Sequence, residues 1–311
     1  MGTQGFSPRT RSDRQIVRFG AEAARVGILG TRAARQLETE VTLIAREGKR
    51  ATLNGARLRA AEQLRTELQT LVFTPDRLIV VKGAPAVRRA YVDRALGRLA
   101  PARAGLAADY GAAVGQRNAA LRRVSGGFSP RETLTPWTER VAVLGGELTE
   151  ARRDAVATLA RPFELHAGEL GLETARLVYD ADSPTVADLE ARLWRDLERG
   201  TTSLGPHLDD IGILAGTRDL RSFGSQGEQR IAVLSLLLAE ASLIEERRGA
   251  APLLLLDDVL SELDEDRRRA LLKQLPAAGQ TIVTATATAA LPAGVAPVLV
   301  AEVSPGRVLV A

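Results

Sequence analysis

The sequence predicts an α/β fold, a mixed sheet covered by helices with a helical lobe inserted into it, and three stretches carry that prediction. Residues 251–258, APLLLLDD, set four leucines in a row with no polar alternation, which fits a short strand buried on both faces inside a helix-covered sheet. Residues 221–230, RSFGSQGEQR, space Ser225 and Glu228 as a capping box and run on into an apolar helix over 231–244. Residues 84–199 are rich in alanine, leucine and arginine and poor in strand formers, so they read as helices.

Taken in order, residues 26–59 read as short antiparallel strands. Residues 41–45 and 51–53 flank a turn at Glu47-Gly48-Lys49, and Asn54-Gly55 marks a second turn. Gly48-Lys49 is not a phosphate loop, because G-x-x-x-x-G-K-[ST] would need glycine at Leu43 and a hydroxyl residue at Arg50. Pro101, residues 124–130 and residues 180–184 break the helical stretch. Its Trp137 and Trp194 fall on helical patterns and are expected in the core. Gly205-Pro206-His207 leads through Asp209-Asp210 into the apolar residues 211–214, a loop entering a strand. Asp264 is placed to cap a helix that begins at Glu265. Residues 280–286, QTIVTAT, predict another buried strand ending in hydroxyls, and residues 298–303 and 308–310, around Pro305-Gly306, predict a closing hairpin.

A chain of 311 residues can bury a sizeable core as one large domain or two lobes. It has no cysteine, which excludes disulfides and thiolate metal sites. Its start, MGTQGFSPRTRSDRQ, has charge and proline where a signal peptide needs an apolar run, and no stretch approaches the length of a membrane span. A soluble cytoplasmic protein with no membrane partner is expected. Residues 1–123 carry 23 Lys and Arg against 10 Asp and Glu, a balance of +13, whereas residues 124–311 carry 19 against 28, a balance of −9. A basic half is the footprint of a polyanion, and nucleic acid is the usual one. Only Lys49, Lys82 and Lys273 among the 42 basic residues are lysine, so genome base composition is a competing source of the arginine bias. Arg88, Arg89, Arg94, Arg98 and Arg117, with Arg122 and Arg123, are the candidates for a DNA-contacting surface, the other reading being a solvated helix face.

Asp257 and Asp258 end the leucine strand at the C-terminal edge of a sheet, where open α/β folds place ligands. Two readings are open: an acidic turn, or a Walker B strand in which Asp257 holds a magnesium ion on a nucleotide and Asp258 polarises a water. The turn at Ser225 is likewise either an ordinary capped helix start or an anion site, since Gly227 bares first-turn N–H groups at the positive end of the helix dipole. Ser225, Gln226, Gly227 and Gln229 opening a buried helix, followed by the hhhhDD strand and the loop Ser261-Glu262-Leu263-Asp264, reproduce the order of an ABC-type ATPase head.

These residues resemble the RecF family, bacterial recombination-mediator ATPases related to the SMC-type heads. FGSQGEQR at 223–230 resembles the family's signature motif and LLLLDDVLSELD at 253–264 its Walker B and D-loop. GPHLDD at 205–210 is similar to its GPHRDD element, with Leu208 where relatives usually carry arginine. Residues 71–96, Gln116-Arg117-Asn118, residues 9–26 and the threonines that end residues 280–286 also match, so the resemblance covers nearly the whole chain. It implies an ABC/SMC-type ATPase head formed from both chain ends. Residues 1–83 would be its β-rich N-terminal part, 84–200 the helical lobe, and 201–311 the part bearing the signature motif, Walker B and D-loop. It further implies ATP and Mg2+ as cofactors, Asp257 on the metal, Asp257 and Asp258 as the catalytic pair, and Ser225, Gln226, Gly227, Gln229, Asp264 and His207 as cofactor-binding residues. The implied assembly is an ATP-dependent homodimer on gapped or duplex DNA, in which Ser225 and Gly227 of one copy meet the γ-phosphate held by the other. The implied task is loading recombinase at single-strand gaps with RecO and RecR.

A Walker A loop, G-x-x-x-x-G-K-[ST], occurs nowhere in the 311 residues. The resemblance places it ahead of residue 1, so the natural protein is expected to be longer, with the pattern on the order of 15 residues before Met1. The 311 residues alone are expected to bind ATP weakly or not at all. Two other readings compete. One is a shortened or degenerate RecF-like DNA-binding protein without ATPase activity. The other is an SMC-like structural head, disfavoured because no long heptad repeat is present.

Overall fold

A computed structural model describes residues 1–3, 5, 7, 12–32, 35–44 and 47–310. Strands β1 (Ala23–Arg32), β2 (Arg35–Ile44), β3 (Gly48–Leu53) and β4 (Ala56–Arg57) come first, then α1 (Leu64–Glu67), β5 (Thr70–Phe73), α2 (Ile79–Lys82), α3 (Pro85–Leu99), α4 (Leu106–Ser125) and α5 (Thr135–Glu169). β6 (Ala175–Val178), α6 (Val186–Ala191), α7 (Leu193–Arg199), β7 (Gly212–Ala215), β8 (Arg218–Asp219) and α8 (Leu220–Phe223) follow. The chain ends with α9 (Gln226–Arg248), β9 (Leu253–Asp257), α10 (Glu265–Lys273), β10 (Thr281–Thr284), β11 (Ala301–Ser304) and β12 (Arg307–Val310).

The first four strands make an antiparallel layer in chain order. Asn54 and Gly55 both take positive φ, 49° and 80°, and Leu53 pairs with Ala56 across them, so the predicted second turn is a two-residue hairpin. The first predicted turn joins β2 to β3, with Gly48 at φ 94°. Ala45, the expected end of its leading strand, and Arg9-Thr10-Arg11 of the segment 9–26 lie outside the described residues.

The central sheet is parallel, in the order β10-β9-β5, so both parts of the chain build it. Leu254 and Leu256 are buried and share one core with Leu71, Phe73 and the apolar side of α9. The opposite face corrects the expectation of a strand buried on both sides. Val72, Leu255 and Ile282 stand side by side there; the first two are half-buried and Ile282 is 47% exposed. The predicted buried strand at 280–286 therefore shrinks to β10, at the open edge of the sheet, where Ile282 and Thr284 are exposed.

α9 is capped by Ser225, is buried over most of its length because residues 231–244 are mostly apolar, and stops at Gly249 in the left-handed region (φ 64°). α5, 35 residues and therefore about 50 Å long, links two cores. Its first half packs Val141, Leu144 and Leu148 against Tyr110 and Val114 of α4, and its second half joins α3, α9 and the parallel sheet. β6 lies inside the stretch expected to be all helix; its strand pairing is supplied by β7, with Ala175 opposite Ala215. Trp194 departs from the core prediction and is 83% exposed on α7, while Leu193 beside it packs with Leu121 and Leu134. β11 and β12 form the predicted closing hairpin, exposed along both strands. No described helix is long and apolar enough to cross a membrane.

Candidate functional site

The C-terminal edge of the parallel sheet holds the two carboxylates. β9 ends at Asp257, and the next residue, Asp258, takes φ 50°, a left-handed conformation that is costly for most side chains and tolerated best by Asp and Asn after glycine. Thr284, at the end of β10, fixes both. Its hydroxyl donates to Asp257 Oδ1 at 2.6 Å and accepts the Asp258 N–H at 3.0 Å. Asp258 Oδ1 is buried with no hydrogen-bond partner. A buried carboxylate oxygen without a partner is costly, and such outliers gather where a water, ion or ligand is handled. Ser261 Oγ donates to the Asp258 carbonyl at 3.1 Å and closes the turn.

The Ser225 turn is a working helix cap. Glu228 N donates to Ser225 Oγ at 3.2 Å and Ser225 N donates to Glu228 Oε2 at 2.8 Å. Arg218 pairs with Glu228 at 2.7 Å and, with the Ser225 N–H, pulls the Glu228 carboxyl down to about 2. Ser225 and Gln226 are exposed, and a Cβ built on Gly227 would meet nothing closer than Arg267 Nη1 at 3.9 Å, so the first turn is open to an approaching group. Gly224 has a different reason to be glycine, since a Cβ there would lie 2.6 Å from the Leu220 carbonyl.

A depressed carboxyl pKa adds stability that is present above the unfolded value near 4.5 and is lost as pH falls through about 2. The thermal midpoint of the protein is therefore expected to exceed that of Glu228→Gln by a constant amount above pH 4.5 and to converge with it toward pH 2. A midpoint difference that ignores pH over that window would remove the ionised cap.

Arg230 joins the two motifs. It is buried, its Nη2 pairs with Glu262 Oε2 at 2.5 Å and its Nη1 reaches the Glu262 carbonyl at 3.4 Å, so the first turn of α9 grips the loop behind Asp258. Asp264 caps α10 as predicted, accepting from Arg267 N at 2.9 Å. Sequence reasoning passed over Arg230 and the bridging role of Thr284. Only the position of Thr284 at a strand end beside hhhhDD could have signalled it.

Other candidates lie elsewhere. Gln229 is buried and its amide donates to the Leu220 carbonyl at 2.7 Å, which ties α9 to α8, while its Oε1 is buried with no hydrogen-bond partner. His207 sits against the helical lobe. Its Nε2 is 3.0 Å from the Thr202 carbonyl, which can only accept, so Nδ1 accepts from the Tyr110 hydroxyl at 2.7 Å. Burial pushes its pKa down, and both ring nitrogens are occupied.

The candidate DNA-binding arginines do not form one surface. Arg117 is completely buried, pairing with Asp196 at 2.7 Å and donating to Thr202 and Thr138. Arg88 is buried in a bidentate pair with Asp210, both contacts at 2.7 Å. Burial pushes the Asp210 carboxyl up, but Arg88 outweighs it and holds the group below the usual carboxylate range. Arg89 donates to the Asp209 carbonyl, and Arg98 pairs with buried Glu240. Arg94 alone among the five is exposed. Tyr179 donates to Asp209 Oδ2 at 2.6 Å and Arg152 pairs with Asp93 while donating to the Pro206 carbonyl. The GPHLDD loop is thus held to α3, α5 and Tyr179 by an ion pair and hydrogen bonds, and Leu208 within it is exposed (55%).

No family model matches the chain. Among curated proteins it is 34% identical over 297 residues to the DNA replication and repair protein RecF of Heliobacterium modesticaldum, covering 91% of this chain and 80% of that one. It is 36% identical over 296 residues to the RecF of Limosilactobacillus fermentum, covering 90% and 79%. The chain belongs to the RecF family. Its fold superposes on a RecF–ATP structure, described as a recombination mediator of the RecFOR pathway, with TM-score 0.85 and 25% identity, over 100% of this chain and 86% of the other. An SMC head bound to the winged-helix domain of ScpA matches more loosely, with TM-score 0.53 and 14% identity, which extends only the fold likeness. The head is therefore an ABC/SMC-type α/β ATPase fold.

The donor set at the sheet edge suits magnesium in one respect and not another. Among the described residues no group of three or more metal-ligating side chains occurs. Asp257, with its hydroxyl neighbour and the unpartnered oxygen of Asp258 beside it, matches the sparse protein ligation of a Mg2+ ion that keeps waters and nucleotide phosphates in its shell.

Proposed function

We propose that this chain is a RecF-type DNA replication and repair protein, a recombination mediator that binds DNA in the cytoplasm and helps load recombinase at single-strand gaps with RecO and RecR. The observation that carries the reading is the junction of the Asp257–Asp258–Thr284 edge with the open Ser225 turn through Arg230 and Glu262. In it Asp257 would hold Mg2+, whose charge would offset that of the ATP phosphates. Asp258 orients a water with the carboxylate oxygen that has no partner in the protein. Thr284 keeps both carboxylates in place, and Ser225 with the Gly227 N–H presents donors to a γ-phosphate held by a second copy. Gln229, His207, Arg88 and Arg117 hold the fold that presents these groups. The phosphate loop itself has no counterpart in the 311 residues, so the reading concerns the carboxylate edge and the signature turn.

Fluorescence anisotropy of labelled duplex and gapped DNA tests the nucleic-acid part. Binding is expected to weaken steeply between about 50 and 200 mM salt, as it does when several phosphates are neutralised. Binding that is absent, or indifferent to salt, would overturn it.

A further inference from the structure

With Arg88 and Arg117 buried and Arg89 and Arg98 engaged, these four arginines are not free to line a polyanion site. The antiparallel layer offers a place. A notch of about 380 Å3 opens where β3 and the segment after β4 diverge, walled by Lys49 and Arg50 on one side and Arg57 and Arg59 on the other, over an apolar floor of Ala51 and Leu58.

Both walls are fixed. Arg57 stands opposite Thr52 in the ladder, and Leu58 N donates to the Ala51 carbonyl at 2.9 Å. Beyond it the chain leaves the sheet, and the Arg59 and Ala60 N–H groups both donate to Gln63 Oε1, at 2.9 and 3.2 Å. The charges divide unequally. Lys49 pairs with Glu62, and Arg50 with Glu47 at 2.5 Å. The Arg57 and Arg59 side chains are exposed and make no hydrogen bond or ion pair in the structure. Two guanidinium groups without acidic partners, two residues apart on one fixed wall of the opening, suit an anion.

The outer face of the same sheet extends this charge. In the ladder Arg25 and Arg50 flank Thr42, and Arg57 lies in the next row, beyond Thr52 from Glu40. Arg25 is 72% exposed at its side chain and is answered by Glu40 at 3.3 Å. The notch has no aromatic wall on which a base could stack, and the carboxylates nearest it are already paired. Its chemistry is that of a phosphate cradle, which positions a nucleic-acid backbone without reading sequence.

We propose that the notch walled on one side by Arg57 and Arg59 is where duplex DNA docks its phosphodiester backbone on the antiparallel layer, an inference that rests on the DNA-binding reading above. The test is a salt titration of duplex binding by the intact 311-residue protein, alongside Arg57→Ala/Arg59→Ala and Arg57→Lys/Arg59→Lys. Loss of two phosphate contacts is expected to lower the slope of log affinity against log salt by about 2 and to weaken binding roughly tenfold to a hundredfold near 0.1 M salt. The lysine pair keeps the charges and is expected to keep the slope. An unchanged slope in the alanine pair, with the unmodified protein still binding, would overturn the notch alone, and so would a lysine pair as weak as the alanine pair. Failure of the unmodified protein to bind duplex in a salt-dependent way would instead overturn the DNA-binding reading and the notch with it.

Discussion

Asp196→Ala is expected to destabilise the protein by about 3–5 kcal/mol, because it strands the Arg117 guanidinium in the helical lobe with no counter-charge and no access to water. Both side chains of the pair are fully buried, and Asp196 also accepts the Ser203 N–H at 3.0 Å. Arg117 Nη2 is already without a partner, so the site has no spare acceptor to replace the lost carboxylate. Removing both charges together, as in Arg117→Met/Asp196→Leu, is expected to cost less than Asp196→Ala alone, since apolar replacement of a buried pair removes its desolvation penalty along with its attraction. Urea denaturation followed by circular dichroism measures both. A cost for Asp196→Ala within about 0.5 kcal/mol of zero, the range of ordinary surface changes, would contradict the buried pair.

What was legible in the sequence was local. The Ser225 capping box, the Asp264 cap and the Asn54-Gly55 turn each complete their hydrogen bonds within a few residues, and all three stand in the structure as read. The strand at 253–257 and the carboxylates at its C-terminal end were legible because four consecutive leucines followed by two aspartates mark a core strand running out to a sheet edge. What failed depended on partners far along the chain. Arg88 finds Asp210 across 122 residues and Arg117 finds Asp196 across 79, so a row of arginines on helices could not be sorted into buried pairs and free charges. His207 was assigned to a ligand on motif position, yet Tyr110 and Thr202 use both of its ring nitrogens, whereas Gln229 spends its amide on the Leu220 carbonyl and keeps an unpartnered Oε1. Trp194 followed helical periodicity correctly, but periodicity does not say which side of α7 meets the lobe. The half-covered face of β9 was misjudged because a run of leucines is equally compatible with one buried face and a partly covered second one.

The second large effect is catalytic. In a chain that carries a phosphate loop ahead of residue 1, Asp258→Asn is expected to leave ATP-driven dimerisation intact and to reduce ATP hydrolysis by about 10²- to 10⁴-fold, the usual contribution of a positioned general base. Asparagine tolerates the left-handed backbone at this position and preserves the side-chain shape, so the substitution removes charge and little else. Asp257→Asn is expected to weaken magnesium-dependent nucleotide binding as well, because in the proposed reading the Asp257 carboxylate, which accepts from Thr284, would hold the metal. In the proposed function the sheet edge and the Ser225 turn form a hydrolytic centre shared between two copies. Its most direct measurement is hydrolysis and light scattering on the same Asp258→Asn sample with ATP and Mg2+. A dimer that does not turn over is expected; hydrolysis equal to that of the unsubstituted protein would show that Asp258 does not act on the water.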